Sequence, residues 1–273
     1  MKTRIITAIC AIAIFVPICY FSETIVFPTA FSLICAISIY EMAKCIGMHK
    51  NITLCIPLYT VALGLPLINY FNSIRPFFFT IAFVSVFLVL IYFLAYVMFR
   101  LNKDKLNDVI TLFGLCFYVI SCFTSVVSIR YMDNGKYYYL LIFIGAWVCD
   151  TFAYFTGKLL GKHKLIPAIS PKKTIEGSIG GIIFTIGAYT LYGFILRQSY
   201  AFEIGYVELI IMGAVVAIVS QIGDLIASAI KRQYDIKDYG FIFPGHGGFL
   251  DRFDSVMLVS PFLYILISFM SLI

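Results

Sequence analysis

A stripe of polar residues lies within an apolar segment in the second half of the chain. Gln221, Asp224, Ser228 and Lys231 are spaced i, i+3, i+7 and i+10, which places them on one face of a helix. An ionisable residue inside a membrane segment normally faces the protein interior or a wet cavity and serves a function. We therefore predict a functional carboxylate at Asp224. An intrahelical pair with Ser228 or Lys231 is the structural alternative.

A glycine-rich stretch follows at residues 244–254. Its proline and three glycines exclude a helix and let the backbone approach a ligand closely. Amide groups in such a loop can hold phosphate oxygens, so Gly247 and Gly248 are candidate substrate contacts. Asp251 and Asp254 stand at i and i+3 where the last helix should begin. For Asp254, an N-cap is an equally good interpretation.

Carboxylates beside basic residues predict metal-assisted phosphoryl or nucleotidyl chemistry. Mg²⁺ prefers oxygen ligands, and proteins commonly hold it with one or two carboxylates and the phosphates of a substrate. Asp224 and Asp251 are the candidate ligands, and a second cation is left open. Positive charge for phosphate groups comes from Lys231, Arg232, Lys237 and Arg252. His246 has no second His or Cys at ligand spacing, so a proton donor or phosphate contact is the better hypothesis for it.

A second polar loop, at about residues 158–176, is basic and bears hydroxyl groups. It leads into a glycine-rich helix, and helix N-termini attract phosphate. Ser170, Lys172 and Lys173 are therefore candidate substrate contacts. Two structural alternatives are equally open: the lysines anchor the loop on the inner side of a membrane, and the glycines allow close helix packing.

The elements that position these residues must lie in a membrane, because the composition excludes a soluble protein. Of the 273 residues, 62% are hydrophobic and only 12% are charged, and the mean hydropathy is +0.98. This composition excludes a soluble enzyme, a disordered chain and a secreted disulfide scaffold.

The hydropathy pattern predicts an all-α, polytopic helix bundle with about nine membrane spans. The segments are roughly 5–21, 25–40, 52–71, 77–99, 109–129, 137–157, 177–196, 206–227 and 255–273. We interpret residues 1–273 as a single membrane domain. Within this domain, residues 1–135 form hydrophobic spans with few residues that could take part in chemistry. Residues 136–273 contain the candidate catalytic site.

The basic residues predict the orientation. The chain has 20 Lys and Arg against 14 Asp and Glu, a net charge of +6. With nine spans, all basic residues fall on one side of the membrane except Arg75, Arg130, Lys136 and Arg197. Because basic loops stay in the cytoplasm, we expect a cytoplasmic N-terminus, an outside C-terminus and a site facing the cytoplasm. We expect no nucleic-acid partner, because basic loops in the cytoplasm account for the positive charge. We also expect the protein to lie in a bacterial inner (plasma) membrane.

One run of residues resembles the signature of the phosphatidate cytidylyltransferases, or CDP-diacylglycerol synthases. The matching positions are Ser228-x-Ile230-Lys231-Arg232 and, after four residues, Lys237-Asp238-x-Gly240-x-x-Phe243-Pro244-x-His246-Gly247-Gly248-Phe249-x-Asp251-Arg252-Phe253-Asp254. The upstream run Ser170-Pro171-Lys172-Lys173-Thr174-x-Glu176-Gly177 and the Trp147 to Asp150 segment are also similar. The resemblance covers about residues 145–255.

The resemblance implies transfer of CMP from CTP to phosphatidic acid, giving CDP-diacylglycerol and pyrophosphate in phospholipid biosynthesis. It implies Mg²⁺, a lipid bilayer and often a homodimer. The implied roles are metal binding by Asp224 and Asp251, phosphate binding by Lys231, Arg232, Lys237 and Arg252, support of the site by Asp238, His246 and Asp254, and contact with substrate phosphate by Ser170, Lys172 and Lys173. We add Ser228 to the candidate substrate contacts.

Three other functions remain as alternatives. A CTP-dependent polyprenol or lipid kinase, or a cytidylyltransferase for another lipid phosphate, would use the same cations and carboxylates. A secondary transporter with Asp150, Asp224 and Lys231 in its path would need polar groups near the midplane and an inverted repeat. The polar groups fall at one face and no repeat is found, which favours an enzyme. A scaffold without activity is a further alternative, and it leaves the signature unexplained.

Overall fold

The structure is a computed structural model that describes residues 2–100, 106–200, 205–245 and 247–269. In these ranges the chain forms nine α-helices, and a short 3-10 helix, Arg75–Phe77, leads into the fourth. The α-helices are α1 (Lys2–Tyr20), α2 (Val26–Ile46), α3 (Ile52–Ile68), α4 (Phe78–Phe99), α5 (Leu106–Arg130), α6 (Gly135–Leu160), α7 (Ile175–Tyr200), α8 (Tyr206–Gln233) and α9 (Leu250–Phe269). Helices satisfy their own backbone hydrogen bonds, which is the requirement that a bilayer imposes.

Seven of the described helical segments are long and apolar enough to cross a membrane. The helix α3 and the apolar part of α1 are shorter. The all-helical structure thus fits a polytopic membrane protein, as predicted. The count of nine spans and the orientation of the termini stay predictions, and the last four residues of the ninth predicted span lie outside the described residues.

The contacts divide the chain into two compact units. Unit 1 comprises Met1–Tyr131 and Tyr234–Arg252, and unit 2 comprises Met132–Gln233 and Phe253–Ile273. The assignment of residues 234–252 to unit 1 was not anticipated. Whether the whole chain acts as one membrane domain stays a prediction.

In unit 1, α2 packs against α3 and α5 around an apolar core. The rings of Phe27 and Phe31 lie 4.7 Å apart along α2, and the ring of Phe31 lies 6.5 Å from that of Phe123 on α5. The buried Arg130 at the end of α5 donates from Nε to Ser22 Oγ at 3.0 Å and lies 3.4 Å from Glu23 Oε1. These partners offset the cost of burying its charge.

In unit 2, α7 packs against both α6 and α8, and its glycines permit the approach of α6. A Cβ on Gly177 would lie 2.6 Å from the Ala153 carbonyl oxygen, and one on Gly181 would lie 3.1 Å from that of Cys149. The first distance is too short for a real side chain, and the second would require the neighbouring atoms to shift. Close helix packing, one of the two structural alternatives for this glycine-rich segment, is therefore present.

A two-stranded antiparallel hairpin joins α6 to α7. Its strands are β1 (Lys164–Ile166) and β2 (Ser170–Thr174). The Glu176 carboxylate fixes its base by accepting the Lys162 N–H at 3.1 Å and lying 2.7 Å from His163 Nδ1. The sequence analysis predicted only a polar loop here, because such short strands rich in lysine lack an alternating apolar pattern.

Candidate active site

Unit 2 contains a cavity of about 310 Å³ bordered by α6, the hairpin, α7 and α8. Its charged lining consists of Asp150, Asp224, Lys158, Lys172 and Lys173. Ser170, Ser178 and Gln221 add neutral polar groups. Of the candidate residues named from the sequence, Ser170, Lys172, Lys173 and Asp224 meet here. Three lysines against two carboxylates give the cavity an excess of positive charge, which suits a phosphate-bearing ligand.

The shortest contact between charges in this cavity joins the hairpin to α8. Lys173 Nζ lies 2.6 Å from Asp224 Oδ2, and the two side chains are 22% and 24% exposed. Ser228 Oγ donates to Asp224 Oδ1 at 3.4 Å. The intrahelical partner expected as the structural alternative is thus present, together with a cation from outside the helix. Asp224 therefore lies at the edge of the cavity with positive charge against it.

Gln221, one turn before Asp224, ties α8 to α7. Its Nε2 donates to the Ser178 carbonyl at 3.2 Å and to Cys149 Sγ at 3.5 Å. Its Oε1 accepts the Ser178 hydroxyl, and its own carbonyl accepts Lys173 Nζ at 3.4 Å. Gln221 thereby fixes the turn of α8 from which Asp224 projects, and the predicted polar stripe faces other helices of unit 2.

Two further carboxylates lie near Asp224. Asp254 interacts electrostatically with Asp224, Asp150 and Lys231. Asp150 Oδ2 accepts the Ser255 hydroxyl at 2.7 Å. Asp254 lies in the second turn of α9, so the N-cap interpretation is wrong, because the helix begins earlier, at Leu250.

Sequence reasoning left Asp150, Lys158 and Gln221 out of the candidate set, although all three line the cavity. Gln221 was already part of the polar stripe that identified Asp224, and a similar signal existed for the other two. Asp150, Tyr154 and Lys158 are spaced i, i+4 and i+8, so they share one face of α6. A polar face on an apolar helix is the same pattern that identified Asp224.

The signature loop, defined as residues 239–251, belongs to unit 1 and folds back on itself. Phe243 and Gly247 exchange two backbone hydrogen bonds, of 2.9 and 3.1 Å. Gly247 has a φ of 86°, which a side chain would strain. As predicted, no helix forms in the described part of residues 244–249. The prediction was wrong for residues 250–254, which belong to α9.

Asp251 is buried within this loop and binds its backbone. Its Oδ2 accepts the N–H of Tyr239 at 2.8 Å and that of Gly248 at 2.9 Å. The amide hydrogens of Gly247 and Gly248 therefore have partners inside the loop. The proposed role of these glycines in substrate binding stays a prediction.

Glu41 on α2 is a second carboxylate at this loop, and sequence reasoning missed it. It is 2% exposed and accepts the N–H of Phe249 at 3.1 Å and of Leu250 at 2.9 Å. The predicted second span ended at residue 40, which left Glu41 in a loop. The helix continues to Ile46, so an ionisable residue in an apolar helix was the available signal.

The remaining candidates are distributed over both units. Lys231 and Arg232 lie in the last turn of α8 in unit 2, whereas Lys237, Asp238 and Arg252 belong to unit 1. His246 lies outside the described residues. Asp224 and Asp251 belong to different units, so a metal shared between them stays a prediction. Within the described ranges, no group of three or more His, Cys, Asp and Glu is arranged to hold a metal ion.

The sequence matches the model of the cytidylyltransferase family over residues 2–270. The chain belongs to this family.

Curated relatives agree with that assignment. A phosphatidate cytidylyltransferase of Bacillus subtilis is 39% identical over 189 residues, which are 69% of this chain and 68% of the relative. The enzyme of the same name from Staphylococcus haemolyticus is 35% identical over 267 residues, covering 98% and 99% of the two chains. That of Staphylococcus aureus is 34% identical over 269 residues, with the same coverage.

Proposed function

We propose that this protein is a membrane nucleotidyltransferase that transfers CMP from CTP to phosphatidic acid. An oxygen of the lipid phosphate forms a bond to the α-phosphorus of CTP. The bond from that phosphorus to the bridging oxygen breaks, and pyrophosphate leaves with the electron pair. The observation that carries the proposal is the cavity of unit 2, which Lys158, Lys172 and Lys173 line together with Asp224, in a chain that belongs to the cytidylyltransferase family.

The cavity lysines supply the positive charge that this reaction needs. Both reactants are polyanions, so their approach and the departure of pyrophosphate require fixed positive charge. Lys173 is held by Asp224 and by the Gln221 carbonyl, which orients its ammonium group before substrate binds. The lipid phosphate supplies the nucleophile, so the protein needs to supply only position and charge. Lys231, Arg232, Lys237 and Arg252 stay candidates for further phosphate contacts.

The donor chemistry at Asp224 fits a magnesium ion. Its oxygens already have a cation against them, the Lys173 ammonium at 2.6 Å, and the neighbouring carboxylates Asp150 and Asp254 are also oxygen donors. We propose that Asp224 binds Mg²⁺, with Asp251 as the second predicted ligand and a second cation left open. When bound, the ion would neutralise charge on the phosphates of CTP.

We further propose that the protein spans a bacterial cell membrane nine times, with its site facing the cytoplasm, and forms a homodimer. CTP is a cytosolic substrate and the acyl chains of phosphatidic acid lie in the bilayer, so a site at the inner interface meets both. The distribution of basic residues supports this orientation. Single cysteines placed at positions 75 and 237 can be labelled from either side of sealed vesicles. The side from which each cysteine reacts would test this orientation.

The decisive experiment incubates the purified protein with labelled CTP, phosphatidic acid and Mg²⁺, and identifies both products. We expect CDP-diacylglycerol and pyrophosphate, no product after chelation of the metal, and at least a 100-fold loss in Asp224→Asn. Glu208→Gln is the matched control, because it removes a carboxylate from the first turn of the same helix. CDP together with a newly phosphorylated lipid would identify a kinase instead. No product with any lipid acceptor would refute the proposal.

A further inference from the structure

Glu41 connects the N-terminal half of the chain to the signature loop. Both of its oxygens accept backbone N–H groups there, Oε1 from Phe249 and Oε2 from Leu250. The carboxylate is 2% exposed, so solvent contributes little to holding it. A buried carboxylate that accepts two amide hydrogens is a strong fixed contact, because its hydrogen bonds are charge-assisted.

The loop is shaped to receive this carboxylate. A Cβ on Gly240 or on Gly248 would overlap Glu41 Oε1, so a side chain at either position would displace the carboxylate. Lys44 lies one turn further along α2, and its ammonium group is 6.0 Å from the centre of the Phe241 ring. Two residues of α2 thus contact opposite ends of the loop.

Asp251 completes the arrangement from within the loop. It accepts the N–H of Gly248, while Glu41 accepts those of the next two residues, Phe249 and Leu250. Three consecutive backbone N–H groups therefore donate hydrogen bonds to two buried carboxylates. The last of them belongs to the first residue of α9, where the N–H groups of a helix lack intrahelical partners and favour negative charge.

We propose that Glu41 is a positioning residue for cytidylyl transfer. It fixes the conformation of the signature loop and the start of α9, and through them the placement of Asp251 and Arg252. This inference rests on the proposed function, since the loop matters to catalysis only if that reaction occurs. Without Glu41, two amides near the start of α9 lose their acceptor, and the loop has no single conformation in which all its donors are satisfied.

The kinetic test compares Glu41→Ala, Glu41→Gln and the control Met42→Ala. Met42 is also fully buried on α2, so its truncation disturbs the same helix without touching the loop amides. We expect kcat of Glu41→Ala to fall at least tenfold, with KM for CTP within threefold because the cavity lysines of unit 2 are intact. Glu41→Gln keeps one oxygen acceptor and should recover part of kcat.

Two kinetic results would overturn the proposal. One is a Glu41→Ala enzyme with kcat within threefold of the wild-type value. The other is a Met42→Ala enzyme that loses as much kcat as Glu41→Ala at an equal loss of thermal stability, since the effect would then be general destabilisation.

A second measurement needs no enzymatic activity. Hydrogen exchange of a peptide covering residues 248–252 should be at least tenfold faster in Glu41→Ala than in the wild type, with α5 peptides unchanged. Unchanged exchange in that peptide would overturn the role of Glu41 directly. If the wild-type protein makes no CDP-diacylglycerol, the proposed function fails, and the exchange result still shows whether Glu41 holds the loop.

Discussion

Removal of the Lys173–Asp224 pair should cost far more activity than stability. The two side chains lie 2.6 Å apart and are each about a quarter exposed. A hydrogen bond to a charged group contributes about 1.5–3 kcal/mol when shielded, and solvent exposure reduces this to about 1–2 kcal/mol. With about 2–4 °C per kcal/mol, Lys173→Met or Asp224→Asn should lower Tm by about 2–8 °C. Because both groups line the cavity, we expect each variant to lose about 100-fold in kcat/KM, or about 2.7 kcal/mol.

A double-mutant cycle gives the decisive comparison. Thermal unfolding in detergent and initial rates with labelled CTP are measured for the wild type, both single variants and the double variant. If the two groups act as a unit, the double variant loses about as much activity as either single variant instead of the product of both losses. The reasoning is refuted if activity falls only in proportion to the folded fraction, or if the two losses multiply.

Two further predictions concern the packing of unit 2. In Gly180→Ala, the new Cβ would lie 2.6 Å from Thr156 Cβ, so we expect a loss of about 1–3 kcal/mol in thermal unfolding. Gly187→Ala on the same helix has no atom within 4 Å of the new Cβ, so it should be neutral or stabilising by up to about 1 kcal/mol. Equal effects at both positions would contradict the packing assignment. In Tyr189→Phe, loss of the buried hydroxyl that donates to the Leu141 carbonyl at 2.8 Å should cost about 0.5–1.5 kcal/mol, and an unchanged Tm would show that this hydrogen bond contributes nothing.

Much of the helical architecture was predictable because length and hydropathy are local properties. Each predicted apolar segment corresponds to one described helix. The boundaries were wrong where a helix continues into polar residues, as α2 does to Ile46 and α8 does to Gln233. The hairpin before α7 was missed because its short, lysine-rich strands lack an alternating apolar pattern.

The candidate site was predictable only in part, because periodicity cannot pair distant residues. Asp224 and its stripe followed from spacing along one helix. Its closest cation, Lys173, was named for a separate reason, and nothing in the sequence joined the two. The contact between Glu41 and Leu250 links residues 209 positions apart. Such a contact becomes visible only when the fold brings both segments of unit 1 together.

Asp224 and Asp251 differ in the groups that their carboxylates contact. Asp224 lines a cavity and pairs there with Lys173, so a ligand that enters the cavity can reach both groups. Asp251 accepts two backbone amides inside the signature loop, so its loss would disturb that loop whether or not a metal binds there. An inactive Asp251→Asn enzyme therefore cannot distinguish a lost metal ligand from a displaced loop. Asp224→Asn changes no residue of that loop, but it releases Lys173. Its activity is therefore compared with that of Lys173→Met, which removes the lysine and keeps the carboxylate.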